Sequence, residues 1–496
     1  MKTLLKSVAL LLVVFMLGTA FMACSKNPES QNGDKPSGET VASNEEVGFN
    51  VAPNNWDQTF TVLAPAWASY REFFFDDEET RDTGDPIDMA LYARTERIKS
   101  HLGVTLKHNV QGTDTSDFKT SFDIFKQVVK AGDDTYQLYQ THTYINVAVM
   151  ATEGYACDLN LFEDINLDAD YWNKDAMEEL EINSSFYYGL SDYMLADPNA
   201  VFFNKTMQEN YKIRNPYEMV REGTWTLENM TVESMKVADQ GDKATKNLGF
   251  ASPDDWYFLS LIDSCDTNVV LDEGGYRTVN MSAANERYAG IYEQLEALFE
   301  ADSSLVYQWA IHDEADKDKS ISSGRVLFTF VPLHKANTYR QTEVKFGILP
   351  YPKYDVDQKD YRSFDWSGLM CVPVTVQNVA MVGQVLECLS YFSANGENSV
   401  HTAYYETLLG SKLADAPDDY EMLRMIYDGV VTNCAINMIE GNGGTNARSE
   451  GLNKLVYAYS NLAKSYSRGT AVDGIATLWA SHGSIAQSAL DKTVNS

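Results

Sequence analysis

Residues 88–110, DMALYARTERIKSHLGVTLKHNV, decide the fold. Leu91, Ile98 and Leu102 fall at helical spacing, and Gly103 is placed to stop the helix. Val104 to Val110 reads as a strand directly behind it. Upstream, Thr59-Phe60-Thr61-Val62-Leu63-Ala64 is a short β-prone run ended by Pro65. Downstream, a second helix runs from Ser116 to Ala131 with Phe118, Phe122, Phe125 and Val129 on one stripe and Gly132 beyond its end. A further strand covers Tyr136 to Tyr139. This β-α-β-α-β order predicts a parallel sheet with right-handed crossovers. Ligands of such sheets bind beyond the carboxyl ends of the strands. The loop at Trp67 and the loop Thr141-His142-Thr143-Tyr144 are therefore placed at a candidate cleft.

A second series of elements begins with a strand at Ala200–Phe203. Helices follow around Met207–Tyr211, Leu227–Ala238 and Ala284–Phe299, with strands at Arg325–Phe330 and Val344–Leu349. Met370 to Val376 reads as a strand returning to the first set, and helical segments from Val379 close the chain. No internal repeat at fixed period is present. The chain has 496 residues, beyond the size at which one core keeps growing, so two lobes are expected.

The amino terminus reads as an export signal. Lys2 and Lys6 precede an apolar stretch from Val8 to Leu17, and Gly18, Thr19 and Ala20 lead into Phe21-Met22-Ala23-Cys24. A Cys after a small residue predicts lipidation of Cys24, although Phe21 and Met22 depart from the usual pattern. The segment behind Cys24, up to residue 49, is expected to be a flexible tether, because Ser25 to Glu46 lacks an apolar period. The net charge of −32 argues against nucleic acid and against a basic membrane-binding face. Cys157, Cys265, Cys371, Cys388 and Cys434 show no zinc-like spacing and read as buried free thiols.

From Tyr187 onward the chain resembles the family-one extracellular solute-binding proteins of bacterial carbohydrate importers. The resemblance rests on Phe203-Asn204-Lys205, Asn215-Pro216-Tyr217-Glu218 and Gly223-Thr224-Trp225-Thr226. It continues through Ser323-Gly324-Arg325-Val326-Leu327-Phe328 and Phe346-Gly347-Ile348-Leu349-Pro350-Tyr351-Pro352. It implies an α/β, two-lobed periplasmic-binding-protein-like fold of type II, with crossing strands as the hinge. By analogy, residues 50–190 and 367–400 form the first lobe, and 191–366 and 401–496 the second. It also implies a lipid-anchored protein on the extracytoplasmic face of the cell membrane that hands a small solute to ABC transporter permease subunits. Asp239-Gln240-Gly241-Asp242 is similar to the start of an acidic loop in relatives. Lys243 and Lys246 replace its oxygen donors, so no metal and no cofactor is assigned.

Sugars present an apolar face and a rim of hydroxyls, which calls for aromatic rings beside Asp or Asn. The candidates are Trp67, His142, Tyr144, Asp192 and Tyr193 near the first crossover, Asp365 and Trp366 near the second, and Trp256 as an opposing ring. For Trp67 a core cap competes with stacking, for His142 a structural hydrogen bond, and for Trp256 packing at a helix start. Trp225 is left out, as a core residue of a helix-start motif. The Gly-x-Ser-x-Gly elbow, HExxH, the phosphate-cradling GxxxxGK(S/T) and GxGxxG are absent, and the pairs Asp76-Asp77 and Asp254-Asp255 read as solvated faces. A secreted glycoside hydrolase or a polysaccharide-binding surface lipoprotein is the alternative.

Overall fold

The computed structural model describes residues 49–66, 85–113, 117, 119–142, 147–194, 196–243, 245–282, 286–306, 319–365, 368–396, 398–409, 417–437, 451–492 and 494–495. All of them belong to the compact unit Gly48–Ser496. The signal segment, Cys24 and the expected tether up to residue 48 lie outside the described residues, whereas Phe49, its expected last residue, stacks on Tyr391 at 4.3 Å and so belongs to the folded body.

Nine strands build two principal sheets among the described residues. In chain order they are β1 (Gln58–Pro65), β2 (Val104–Gln111), β3 (Leu138–His142), β4 (Asn199–Asn204), β5 (Leu248–Ser252), β6 (Ser304–Val306), β7 (Val326–Pro332), β8 (Phe346–Leu349) and β9 (Gly368–Cys371). The first sheet has the order β9-β3-β1-β2, with β1, β2 and β3 parallel as the helix spacing predicts. The second has the order β8-β4-β7-β5-β6. Its strands β7, β5 and β6 are parallel, and β4 runs against both β7 and β8. Every residue of β4 and of β7 is buried, as expected for strands covered on both faces.

The crossover helices are α1 (Pro86–Leu102) and α2 (Lys119–Ala131). Asp85 caps α1 by accepting the Ile87 amide, and Pro86 occupies the first turn, where its missing N–H costs nothing. Gly103 ends the helix at φ 62°, with its amide bonded to the Lys99 carbonyl. Leu91, Ile98 and Leu102 are buried beneath it, and Phe122, Phe125 and Val129 of α2 line the first sheet, Phe125 stacking on Tyr139 at 4.7 Å. Phe118 and Ser116 lie outside the described residues.

Two buried carboxylates tie the helices Val379–Ala394 and Pro417–Asp428 to their layers. Glu387, in helix Val379–Ala394, accepts from the Tyr171 hydroxyl (2.5 Å), the Trp172 indole (2.9 Å) and the Asn166 amide (3.2 Å). That helix and Val400–Leu409 both pack on α1, with the first sheet. Asp419, in helix Pro417–Asp428, accepts from the Tyr217 hydroxyl (2.5 Å), Lys205 Nζ (2.8 Å) and the Ile348 amide (3.0 Å). This pins it to β8 of the second sheet. Each carboxylate replaces its water with three donors, the condition on which burial of a charge is tolerated. The fold is thus α/β and two-lobed, of the periplasmic-binding-protein type. Trp225 is fully buried against Phe328 with its indole N–H on the Pro350 carbonyl (2.9 Å), as its motif predicts. The five cysteines after Cys24 are free, four of them buried and Cys157 half-buried.

Candidate cleft at the crossing segments

Among the described residues, two of the segments that cross between the sheets pair with each other, and their pairing fixes which strand ends face each other. The outgoing segment reaches β4 through Asp197 and Pro198, and the returning one leaves the second sheet through Asp365. Pro198 and Asp365 pair as an antiparallel bridge, and the Asp197 amide donates to Asp365 Oδ1 at 2.8 Å. On the second sheet this crossing meets the carboxyl end of β7: Asn199 pairs with Pro332, and the Leu333 amide donates to the Pro198 carbonyl. On the first sheet it meets the carboxyl end of β3, where Gly368 pairs with His142. The carboxyl ends of the parallel strands in both sheets therefore open toward the same crossing. That is where a solute between two α/β lobes would lie.

The structure distributes the expected site residues unevenly. Trp67, Tyr144 and Trp366 lie outside the described residues, as does the side chain of His142, whose backbone ends β3. Asp192 stands half-buried on the outgoing crossing, and burial lifts its carboxyl to about 7. Tyr193, one residue on, is fully enclosed. Its hydroxyl accepts from Gln140 Nε2 (3.1 Å) and the Arg94 guanidinium lies 5.1 Å from its ring centre, so its ring belongs to the core in this conformation. Gln140 also joins His108 at 2.8 Å; burial, opposed by this hydrogen bond and aided by Arg94, draws the imidazole down to about 4. Asp365 spends one carboxylate oxygen on bracing the crossing. Trp256 follows the carboxyl end of β5 and meets Tyr457 edge-on at 5.5 Å.

Two features at the strand ends escaped the sequence reading. Asp254 and Asp255 are buried rather than solvated. They follow β5 into the enclosed carboxyl end of the sheet, and burial first, then the Asp255 carboxyl, raises Asp254. Asp197 accepts the His334 amide (3.0 Å) and faces His334 Nδ1 (2.5 Å). No sequence pattern links those two residues, which lie 137 positions apart. Among the described residues no group of three His, Cys, Asp or Glu side chains is arranged to hold a metal ion.

No family model matches the sequence, and no curated protein is significantly similar to it. Solved structures match over most of its length. The cyclic alpha-maltosyl-1,6-maltose binding protein from Arthrobacter globiformis aligns with a TM-score of 0.58 at 12% identity, covering 87% of this chain and 98% of that one. The galacto-N-biose/lacto-N-biose I-binding protein of the ABC transporter from Bifidobacterium longum aligns at 0.57 and 12% identity, covering 88% and 97%. The GacH receptor of Streptomyces glaucescens, solved unliganded and with acarbose, aligns at 0.56 and 14% identity, covering 88% and 98%. At these identities the likeness is one of fold.

Proposed function

We propose that this chain is the solute receptor of an ABC importer, a binding protein rather than an enzyme, and that its cargo is a carbohydrate or polyol. The observation that carries the reading is the paired crossing, Pro198 against Asp365, which leaves the carboxyl ends of both sheets opposed. The solved proteins of the same fold bind acarbose, lacto-N-biose, tagatose and ribitol, which supports hydroxyl-rich cargo. The helix packing supports lobes of 49–192 with 368–409, and 199–365 with 417–495. This moves Val400–Leu409 from the expected second lobe to the first. A solute touching both lobes stabilises the closed arrangement by its differential affinity for it. Among the described residues no helix is long and apolar enough to cross a membrane. We assign attachment to a lipid on Cys24, which would hold the receptor near permease subunits at high effective concentration.

A thermal-shift panel of acarbose, lacto-N-biose, D-tagatose and ribitol, with amino acids and peptides beside them, tests the reading on the body from residue 49. A ligand at ~100 Kd adds about 2.7 kcal/mol of stability. A rise with a member of the sugar panel, without its consumption, is the expected result. A rise with peptides alone would replace the cargo class, and turnover of a glycoside would replace the receptor by a hydrolase.

A further inference from the structure

We infer that a charged cavity of about 320 Å³ in the second lobe is a hydroxyl-binding subsite for the solute, with Arg287 and Arg362 as its principal donors; the inference rests on the receptor reading above. Three connections build the cavity, and each lies at the carboxyl end of the second sheet. Asp266 follows β5 through the short helix Leu261–Ser264. Arg287 opens the helix Arg287–Glu300, which runs back to the start of β6. Residues 355–362 lead from the end of β8 to Asp365 at the crossing. Strands β5, β7 and β8 all point the same way, since β5 is parallel to β7 and β4 runs against both β7 and β8. The cavity therefore stands on the side of the sheet where β7 meets the crossing, the side on which α/β folds take their ligands.

Its walls are held firmly while much of their bonding capacity is unspent. Gln358 is buried, and its Nε2 donates to the Ser264 carbonyl (2.7 Å) and the Asp360 carbonyl (2.9 Å) while Oε1 accepts the Tyr354 amide (3.2 Å). Asp355 Oδ1 accepts the amides of Asp357 (3.1 Å) and Gln358 (2.9 Å). Asp266 draws the two guanidinium groups together, Oδ1 accepting from Arg362 Nη1 and Oδ2 from Arg287 Nη1 (3.4 Å). A guanidinium carries five N–H donors, and Arg362 commits only Nη1. Among the described residues, the side chains of Asp357, Lys359 and Asp360 make no hydrogen bond or ion pair. The mixture of signs selects the ligand. An anion entering the cavity meets Asp355, Asp357 and Asp360, and a cation meets Arg287, Lys359 and Arg362, so either is opposed by like charge. A hydroxyl both donates and accepts, so a sugar or polyol can bond to both sets and is opposed by neither. The volume lies at the lower end of the range for small-molecule sites, which begins at about 300 Å³.

The test pairs a wall residue with a rim residue. Titration calorimetry uses the panel member with the largest thermal shift, on the wild-type body, R362M and K359A. R362M keeps the apolar stem and removes every guanidinium donor. K359A removes an ammonium that holds no neighbour in place, so its effect cannot come through the fold. The expected result is at least a tenfold loss of affinity in R362M, equivalent to about 1.4 kcal/mol, and at least a threefold loss in K359A with the unliganded melting temperature kept. In the wild-type body the same sugar should slow acetylation of Lys359, read by mass spectrometry, and leave the exposed Lys492 unaffected. Should R362M fold poorly, the K359A affinity and the acetylation rate decide. Unchanged affinity in both variants, or acetylation of Lys359 that the sugar does not slow, overturns the inference and leaves the receptor reading standing. Protection of Lys359 by an amino acid and by no sugar overturns the hydroxyl assignment. A wild-type body that binds no member of the panel overturns both readings.

Discussion

Replacing Asp263 by Asn should make the protein less sensitive to alkaline pH. The Asp263 carboxyl is buried in the second lobe, Oδ1 accepts from Asn433 Nδ2 at 2.8 Å, and Oδ2 has no hydrogen-bond partner among the described residues. Burial raises it from 3.8 to about 7, with the Asn433 hydrogen bond and the Arg362 charge opposing the rise. An acid whose folded pKa lies above its unfolded value binds more protons folded than unfolded within that window. Its contribution is therefore complete below the unfolded pKa and is lost as pH climbs through the folded one. At 1.36 kcal/mol per pH unit the whole window is worth about 4 kcal/mol, of which about 3 kcal/mol falls between pH 5 and pH 8. Asn stands in for the neutral acid and does not titrate. Urea unfolding of wild type and D263N at both pH values cancels every other group by double difference. D263N should gain about 3 kcal/mol on wild type between pH 5 and pH 8. An identical pH dependence in the two proteins would mean that Asp263 is ionised in the folded state, and the reasoning from its unpartnered oxygen would fail.

Two further substitutions probe the frame. D419A removes the acceptor shared by Tyr217, Lys205 and the Ile348 amide, and should cost about 3–5 kcal/mol, read as a lowered urea midpoint. G103A forces a side chain onto a backbone at φ 62°, where the new Cβ would stand 2.1 Å from Asn55 Oδ1. The left-handed conformation alone costs about 1–2 kcal/mol, so the loss measured by the same unfolding should exceed that.

The first lobe was readable because its signals are local. Helix spacing in 88–102, a stop glycine and flanking β-prone runs each lie within about one element, and the parallel order follows from them. In the second lobe β5 and β6 went unread. LGFAS and SLV are too short, and too rich in Gly and Ser, to show a period, and they are strands because β7 and each other supply their partners. Gly249 in β5 is there for packing, since a Cβ would sit 1.8 Å from the Ser234 carbonyl oxygen. The returning strand was expected to run to Val376 but ends at Cys371. Pro373 has no amide to donate, and the Val374 amide turns to the Tyr155 carbonyl instead.

The crossing was legible in position, and the side chains around it less so, for the same reason. Strand ends are predictable from strand order, and Asp365, expected near the second crossing, pairs there with Pro198. What a side chain does there depends on partners the chain brings from far away. Tyr193 looks like a second contact beside Asp192, yet Gln140 and Arg94, both distant in sequence, take its ring inward. Asp254-Asp255 has the look of a solvated pair until β5 is known to end there, which turns both into the enclosed end of a sheet. His334 carried no motif at all; it gains its meaning from Asp197, and Asp197 from Asp365. A residue at this crossing is thus defined by the partners that hold it, so a sequence reading can locate the crossing before it can tell what each side chain there does.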